Sequence, residues 1–248
     1  MKDMKILCDM ITNIKRPSSA TNATSILKSI EIFTDCSLAL VIFGLGLKQK
    51  DFKIDEDFFN VRSINEWSGG DDFIFEKAME AAIYYTEIVK ENRAFSDILT
   101  EVYETIHLTG KAGDGLGQFL TPMDVSNLIA KLASTKKGKS SVNDTSINDD
   151  CCGTASMPLS ALKEIVKESE IFINRKVSLN DIDPLLVKIA IIQVMAPVAF
   201  KEYDLKDVSI FCGNALLQNS HCVFRYKDKK KNYERQVEAF NKIMDIVF

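Results

Sequence analysis

Apolar residues recur at spacings of three and four along much of residues 1–110, a pattern that predicts helices. The spacing is clear over residues 25–33 and 73–92, and a further helix is predicted over residues 94–106. The glycine-rich stretch 108–117 is predicted to end helical order. We therefore expect a mainly helical N-terminal domain over residues 1–110.

After residue 118, short apolar segments alternate with segments of helical spacing. The predicted elements are a helix from 121 or 122 to 134, a strand over 146–150, a helix over 157–168, a strand over 172–179, a helix over 184–195, a strand over 208–212 and, after a basic polar segment, an amphipathic helix over 233–246. Such alternation is typical of parallel β-α-β units with right-handed crossovers. The predicted fold class is α/β, with a Rossmann-like domain over residues 111–248.

Composition favours a soluble globular protein, because 46% of the 248 residues are hydrophobic and 27% are charged. The longest apolar run, 38–47, is about half of the roughly 20 residues that a membrane span needs. Residues 1–10 lack the apolar core of a signal peptide. The six cysteines form no C-x-x-C pair and only two histidines occur, which argues against a structural metal. We expect a cytoplasmic protein that has no membrane contact and binds no metal.

Charge is divided unevenly along the chain. Residues 1–110 hold 12 Lys and Arg against 18 Asp and Glu, a net of −6, so the chain's net charge of −4 leaves +2 for residues 111–248. Two basic clusters lie in that second part, one at 136–139 and one at 225–231. Each could contact DNA phosphates, although a solvated loop is the favoured explanation of a lysine run taken alone. The residues predicted to contact DNA are Lys227, Lys229, Lys230 and Lys231.

The first predicted strand ends in an acid and a turn of small residues. Asp149 closes the strand, and the turn contains Cys151, Gly153 and Thr154. In an open parallel sheet, ligands bind outside the carboxyl ends of the strands. Small side chains allow a ligand to approach the backbone and the N-terminus of the next helix closely. This strand end is therefore a candidate cofactor site, although a turn with one glycine is a weak signal alone.

The next two strand ends also carry polar groups suited to a nucleoside. Asp181 can accept hydrogen bonds from both ribose hydroxyls, whereas the nearby Asp183 fits the N-cap of the following helix. Asn214 follows the third strand, and its amide could recognise an adenine edge; an ordinary turn asparagine is the alternative. Three suitable strand ends in succession are a stronger signal than any one of them.

Several segments together resemble the N-6 adenine DNA methylases. They are 95–103, Gln118-Phe119-Leu120-Thr121-Pro122 with Val125, Leu128 and Ile129, the turn 149–156, Asp181-Ile182-Asp183-Pro184 and Gly213-Asn214-Ala215-Leu216. The turn 149–156 is similar to the family's Asp-Pro-x-x-Gly-x-Gly-Gly cofactor turn. The family includes the modification subunits of type I restriction systems and shorter orphan methylases of phages and mobile elements.

This resemblance implies S-adenosylmethionine as cofactor, adenine in DNA as substrate, and a possible partner subunit or homodimer. It implies that the Gln118–Thr121 segment packs against the methionine part of the cofactor. The residues that it places at the cofactor are Gln118, Phe119, Thr121, Asp149, Cys151, Gly153, Thr154, Asp181, Ile182, Asn214 and Leu216.

The sequence departs from the family pattern at several points. Asp150 stands where the family has proline, and Ala155 stands where it has glycine. The catalytic Asn/Asp/Ser-Pro-Pro-aromatic element is not found, because the chain has no Pro-Pro pair and no proline after Pro197. Asn219, Phe224 and Tyr226 are of the right types, but their order and spacing do not match it. No residue is therefore assigned a catalytic role, and no separate target-recognition domain is expected.

Three hypotheses follow. The first is a methylase relative that transfers a methyl group to adenine. The second is a catalytically inactive homologue, which would act as a cofactor- or DNA-binding subunit or as a decoy of a restriction-modification system. The third is another Rossmann-like nucleotide binder such as a dehydrogenase, which the missing G-x-G-x-x-G spacing disfavours.

Overall fold

The computed structural model describes residues 3–14, 23–59, 71–108, 120–135, 146–166 and 172–228. Its helices are α1 (Met4–Thr12), α2 (Ala23–Leu47), α3 (Asp72–Glu91), α4 (Leu99–Tyr103), α5 (Met123–Thr135), α6 (Ser156–Ile165) and α7 (Pro184–Phe200), with a π-helical turn at Glu104–Leu108. Its strands are β1 (Asp51–Ile54), β2 (Ser146–Asp149), β3 (Phe172–Asp181), β4 (Asp204–Cys212) and β5 (His221–Lys227).

The strands form one mixed sheet in the order β1-β5-β4-β3-β2. The neighbours β2, β3 and β4 are parallel, whereas β5 runs antiparallel to both β4 and β1. The crossovers β2-α6-β3 and β3-α7-β4 step in the same direction along the sheet. Because such crossovers are right-handed, α6 and α7 lie on the same face. The predicted α/β class with parallel β-α-β units is confirmed.

The two faces of the sheet differ in polarity. Toward the helices, Val177, Val208 and Ile210 are buried. The opposite face carries polar residues in register, with Ser178 beside Ser209 and Ser209 beside the exposed Arg225. This alternation of apolar and polar positions means that the described helices cover the sheet mainly from one side.

Helix α2 packs against α7 and α3, which joins the N-terminal region to the core of the sheet domain. Its segment Ser25–Leu47 has a mean hydropathy of 1.9 and is long and apolar enough to cross a membrane. However, 61% of its most apolar window is buried inside the protein. Its Asp35 also accepts a hydrogen bond from Lys188 of α7 at 2.7 Å. These features are those of a core helix, and the cytoplasmic location stays a prediction.

The predicted helix boundaries are furthest from the observed ones at three places. Helix α2 continues to Leu47, and α7 continues through Pro197 to Phe200 because almost all its residues are buried. The helix predicted over 94–106 begins only at Leu99. Phe95 has φ of 59°, which is incompatible with a right-handed helix, so residues 94–98 are a turn at 94–95 followed by irregular backbone.

Two strands were not predicted. β5 lies in the segment predicted to be basic and polar, and β1 lies inside the region predicted to be helical. Both alternate apolar with charged residues, as in Phe224-Arg225-Tyr226-Lys227. The alternating pattern of a strand is therefore present, but it is short, and a run of positive charges equally predicts a solvated loop.

Some predictions fall outside the described residues, namely the helix over 233–246, the basic cluster 136–139 and most of the junction 108–117. The division into domains at residue 110 stays a prediction. Across that division, β1 pairs with β5 and α2 packs along α7.

Candidate functional site

A cavity of about 230 Å³ opens at the carboxyl ends of β2 and β3. It is lined by Leu120, Thr121, Asp149, Cys151, Cys152, Gly153, Thr154, Ser156, Met157, Asp181, Ile182, Asp183 and Leu186. The structure thus brings together these predicted cofactor residues: Thr121, Asp149, Cys151, Gly153, Thr154, Asp181 and Ile182. Gln118 and Phe119 lie outside the described residues.

The turn between β2 and α6 needs an unusual backbone at two positions. Gly153 has φ of +54°, and a Cβ there would lie 3.1 Å from Leu120 Cδ2 across the cavity wall. Ala155 has φ of 75° and precedes the first residue of α6. The left-handed region costs a residue with a side chain about 1–2 kcal/mol. The methylases that the sequence resembles have glycine at the position of Ala155, and glycine adopts this conformation without that cost.

Asp181 holds this turn from the neighbouring strand. Its Oδ2 accepts a hydrogen bond from the backbone N–H of Gly153 at 2.8 Å, and its Oδ1 accepts one from Asp183 N–H at 3.0 Å. A carboxylate offers about four acceptor positions, so two remain for a ligand. The nearby Asp183 accepts from Leu185 N–H and caps α7, which confirms its predicted structural role.

Asp149 lies half-buried at the end of β2. Its Oδ1 accepts a hydrogen bond from Cys151 N–H at 3.2 Å. Burial raises the pKa of the Asp149 carboxyl, and the negative charges of Asp150 and Asp181 raise it further. The described cavity lining includes three carboxylates and no lysine or arginine. Its negative potential therefore favours a cationic ligand.

Asn214 and Leu216 are not among the residues that line the cavity. Oδ1 of Asn214 accepts hydrogen bonds from the N–H groups of Leu216 and Leu217, at 3.0 and 3.2 Å. The side chain therefore stabilises its own turn, as a turn asparagine does. Leu216 is 94% exposed. The adenine-binding role of both residues stays a prediction.

A buried polar network beneath the cavity turn was missed by the sequence analysis. Gln193 of α7 accepts hydrogen bonds from the N–H groups of Ile98 and Leu99, and donates to Asp97 Oδ1 and to the Thr154 carbonyl. Four hydrogen bonds satisfy most of the amide's capacity. Gln193 thus joins the segment before α4 to the turn that lines the cavity.

Hydroxyl groups extend this network. Ser156 donates to Asp97 Oδ2 at 2.6 Å, and Thr100 Oγ1 lies 2.6 Å from Thr154 Oγ1 and 2.9 Å from Ser156 Oγ. Asp97 and Thr100 belong to the 95–103 segment, whose resemblance to the methylases carried no stated role. The sequence therefore contains these residues in a matching segment, but their structural role depends on hydrogen bonds between residues more than fifty positions apart.

Two buried cysteines, Cys152 in the cavity wall and Cys212 at the end of β4, are poor nucleophiles. Burial raises the pKa of the Cys152 and Cys212 thiols, and Asp181 raises both further. Both groups are therefore protonated at neutral pH, which agrees with a packing role.

The described part of the predicted DNA-binding segment lies away from the cavity. Exposed Lys227 pairs in register with Asp207 of β4, whereas the cavity lies beyond the end of β3. The distance along β4 from Asp207 to Cys212 is about 16 Å at roughly 3.3 Å per residue. Lys229, Lys230 and Lys231 lie outside the described residues.

The described residues that follow β4 do not form the family's Pro-Pro-aromatic element. Residues 213–220 lead from β4 into the antiparallel β5, in which His221 pairs with Cys212. Phe224 and Tyr226 are buried in the core, and the Tyr226 hydroxyl donates to Asp204. Neither aromatic ring is available to stack on a base.

Comparison with functionally curated proteins found no match. Among solved structures, one described as a class I S-adenosylmethionine-dependent methyltransferase from Listeria monocytogenes is similar, with 15% identity and a TM-score of 0.46. The alignment covers 82% of this chain and 52% of that one, so the chain spans about half the length of that protein. The sequence profile of the N-6 DNA methylase family matches residues 94–243, which is 150 of the 248 residues. This chain belongs to the N-6 DNA methylase family.

Proposed function

We propose that this protein binds S-adenosylmethionine in the acidic cavity, as part of a methyltransferase that acts on adenine in DNA. The observation that carries the proposal is the lining of the cavity, which contains Asp149, Asp181 and Asp183 but no described lysine or arginine. S-adenosylmethionine carries sulfonium and ammonium cations, which carboxylates stabilise. The phosphates of a dinucleotide or nucleotide would be repelled by them.

The residues present fit this cofactor. Asp181 has acceptor capacity left for ribose hydroxyls. Ser156 and Met157 line the cavity at the start of α6. The first backbone N–H groups of a helix have no partner within the helix, and they suit the cofactor's carboxylate. Ile182 is 64% exposed at the cavity and offers an apolar surface for the adenine ring.

When bound, the cofactor supplies an electrophilic methyl group on its sulfonium. The chain's own residues would orient the cofactor and exclude water from it, since a direct methyl transfer needs mainly positioning. The family match supports adenine in DNA as the acceptor.

A second candidate function is that of a cofactor-binding subunit without its own base pocket. The observation that favours it is the antiparallel β5, which follows β4 without a Pro-Pro loop and buries Phe224 and Tyr226. Such a protein keeps the cofactor site, and the target adenine binds in a pocket that this protein does not form alone.

Titration calorimetry tests the cofactor claim. We expect S-adenosylmethionine to bind, while NAD and ATP do not. Asp181→Asn keeps one acceptor for the turn but removes the charge, and should weaken binding by about 1–3 kcal/mol. Glu202→Gln, at the far end of α7, removes an exposed charge and should leave binding unchanged. Equal affinity of Asp181→Asn and wild type would contradict the proposed site.

Transfer of labelled methyl groups to DNA separates the two functions. Labelled adenine in DNA incubated with this protein alone supports the first. Cofactor binding without transfer to any DNA supports the second.

A further inference from the structure

A buried carboxylate lies next to the turn that lines the cavity. Asp97 is 9% exposed, and its oxygens accept hydrogen bonds from Ser156 Oγ at 2.6 Å, Gln193 Nε2 at 3.0 Å and Thr100 N–H at 3.4 Å. These three donors are uncharged. A buried carboxylate needs such donors to offset its lost hydration. Asp97 therefore restricts where the Ser156 hydroxyl can lie.

Three hydroxyls form a chain whose direction follows from the number of their protons. Ser156 donates its only proton to Asp97, so in its contact with Thr100 it can only accept. Thr100 then has no proton left for Thr154, and the 2.6 Å contact between these two hydroxyls requires Thr154 to donate. The chain of hydrogen bonds runs from Thr154 through Thr100 and Ser156 to Asp97.

The network holds the residues on both sides of a strained position. Ala155 has φ of 75°, a left-handed conformation that a residue with a side chain keeps only when its surroundings impose it. Thr154 precedes Ala155 and is held through its hydroxyl and, by Gln193, through its carbonyl. Ser156 follows Ala155 and is held by Asp97. These hydrogen bonds can therefore impose the conformation of Ala155.

The conformation of Ala155 sets the direction in which α6 begins. Ser156 and Met157 line the cavity, whereas Asp97 and Thr100 are not among its lining residues. A change of backbone angles at Ala155 would redirect the first N–H groups of α6, which suit the cofactor's carboxylate. The network thus lies behind the groups that face a bound ligand.

We propose that Asp97 and Thr100 are positioning residues for S-adenosylmethionine, and this inference rests on the proposed cofactor site. They act through the hydroxyls of Thr154 and Ser156, which keep Ala155 left-handed and the start of α6 directed at the cavity. The other explanation is purely structural, with buried polar groups that satisfy one another and contribute to stability alone. Only a positioning role predicts that damage to the network lowers cofactor affinity in protein that stays folded.

Thr100→Val removes the middle hydroxyl of the chain and keeps the branched shape of the side chain. We expect S-adenosylmethionine affinity, measured by calorimetry below the unfolding transition, to fall about tenfold, the equivalent of one lost hydrogen bond. Thr100→Ser keeps the hydroxyl and should bind within about twofold of wild type.

Thr86→Val in α3 is the matched control. Thr86 is 8% exposed, and its hydroxyl donates to the Ile83 carbonyl at 2.7 Å. Thr86→Val and Thr100→Val each remove one buried hydroxyl, so both should lower the free energy of unfolding in urea. Thr86→Val should leave the affinity for S-adenosylmethionine unchanged.

Ala155→Gly tests whether the network acts through Ala155. Glycine adopts the left-handed conformation without strain, so the hydrogen bonds have less to impose. In the Ala155→Gly background, Thr100→Val should therefore lower affinity by about threefold or less. An equal loss in both backgrounds would overturn the proposed action through Ala155.

Hydrogen exchange of the wild type needs no variant. The N–H groups of Ile98 and Leu99 donate to Gln193, and neither residue lines the cavity. Bound S-adenosylmethionine should slow their exchange more than that of the buried Ala81 and Ala82 in α3. An equal effect on both pairs would overturn the proposal even where Thr100→Val does not fold.

The failure of this inference differs from that of the proposed function. Unchanged affinity of Thr100→Val, or an equal loss in Thr86→Val, rejects the positioning role while the wild type still binds S-adenosylmethionine. Wild-type protein that binds no S-adenosylmethionine rejects the proposed function, and the positioning role with it.

Discussion

The carboxylate of Asp149 lies half-buried at the end of β2, close to Asp150 and Asp181. Burial and these neighbours raise its pKa, so its ionised form is held less favourably in the folded protein than in the unfolded chain. A bound cationic ligand would stabilise the ionised carboxylate of Asp149 in the folded protein. The residue therefore opposes stability and serves binding at the same time.

Asp149→Asn should stabilise the ligand-free protein at neutral pH and weaken S-adenosylmethionine binding about tenfold, the order expected for a lost charge-assisted contact. Thermal unfolding and calorimetry measure the two effects. Asp57→Asn, in an exposed turn, is the control and should change neither. A variant that loses stability would mean that the charge is better compensated than its surroundings indicate.

The pH dependence of this effect has a defined sign. The folded pKa of Asp149 is raised, so its contribution to stability is present below the ordinary aspartate pKa and is lost as pH rises through the folded value. The stability difference between Asp149→Asn and wild type should therefore be absent in strong acid and appear as pH rises. Cofactor affinity should fall as pH is lowered through the same range.

At the scale of elements, Gln193 connects α7, the segment before α4 and the cavity turn through four hydrogen bonds. Gln193→Leu leaves the buried N–H groups of Ile98 and Leu99 without their acceptor. We expect a loss of about 2–5 kcal/mol in the free energy of unfolding, measured with urea. Gln218→Leu, in an exposed loop, should cost far less. If Gln193→Leu and Gln218→Leu lowered the free energy of unfolding equally, the hydrogen bonds of Gln193 would not contribute the predicted stability.

The contact between α2 and α7 contains a buried ion pair. The side chain of Asp35 is 4% exposed and that of Lys188 is 19% exposed, and Lys188 also lies 5.7 Å from the ring centre of Phe58. Asp35→Leu alone should cost about 3 kcal/mol, because it leaves an ammonium group in an apolar contact. Asp35→Leu with Lys188→Met should return to within about 1 kcal/mol of wild type. Urea unfolding of all three variants tests this; additive costs would contradict it.

Sequence reasoning worked where the signal is local. The acids of β2 and β3 were placed at strand ends by the alternation of strands and helices, and the cavity contains both Asp149 and Asp181. The Asn214 side chain stabilises its own turn in the structure, and a turn asparagine and a ligand-binding one look alike in sequence, so its adenine-binding role stays a prediction. The Gln193 network could not be predicted from local sequence because its partners lie 39 to 96 residues away in the chain.

At the scale of the whole molecule, α7 is the element that both halves of the chain share. Thirteen of its residues are buried, so apolar side chains surround the helix. It faces β3 and β4 on one side and α2 and α3 on the other. A helix that is apolar on every side is stable only when other elements pack against all of its faces. The helical residues of the N-terminal half therefore complete the same core as the sheet.

This arrangement predicts that the chain unfolds as one cooperative unit, although the sequence pattern changes near residue 110. Calorimetry of the full chain should give one transition with equal calorimetric and van't Hoff enthalpies. A fragment of residues 111–248 should show no cooperative transition, because removing α2 and α3 exposes one side of α7 to water. Two separate transitions, or a fragment that folds with a sharp midpoint, would instead establish residue 110 as a true folding boundary.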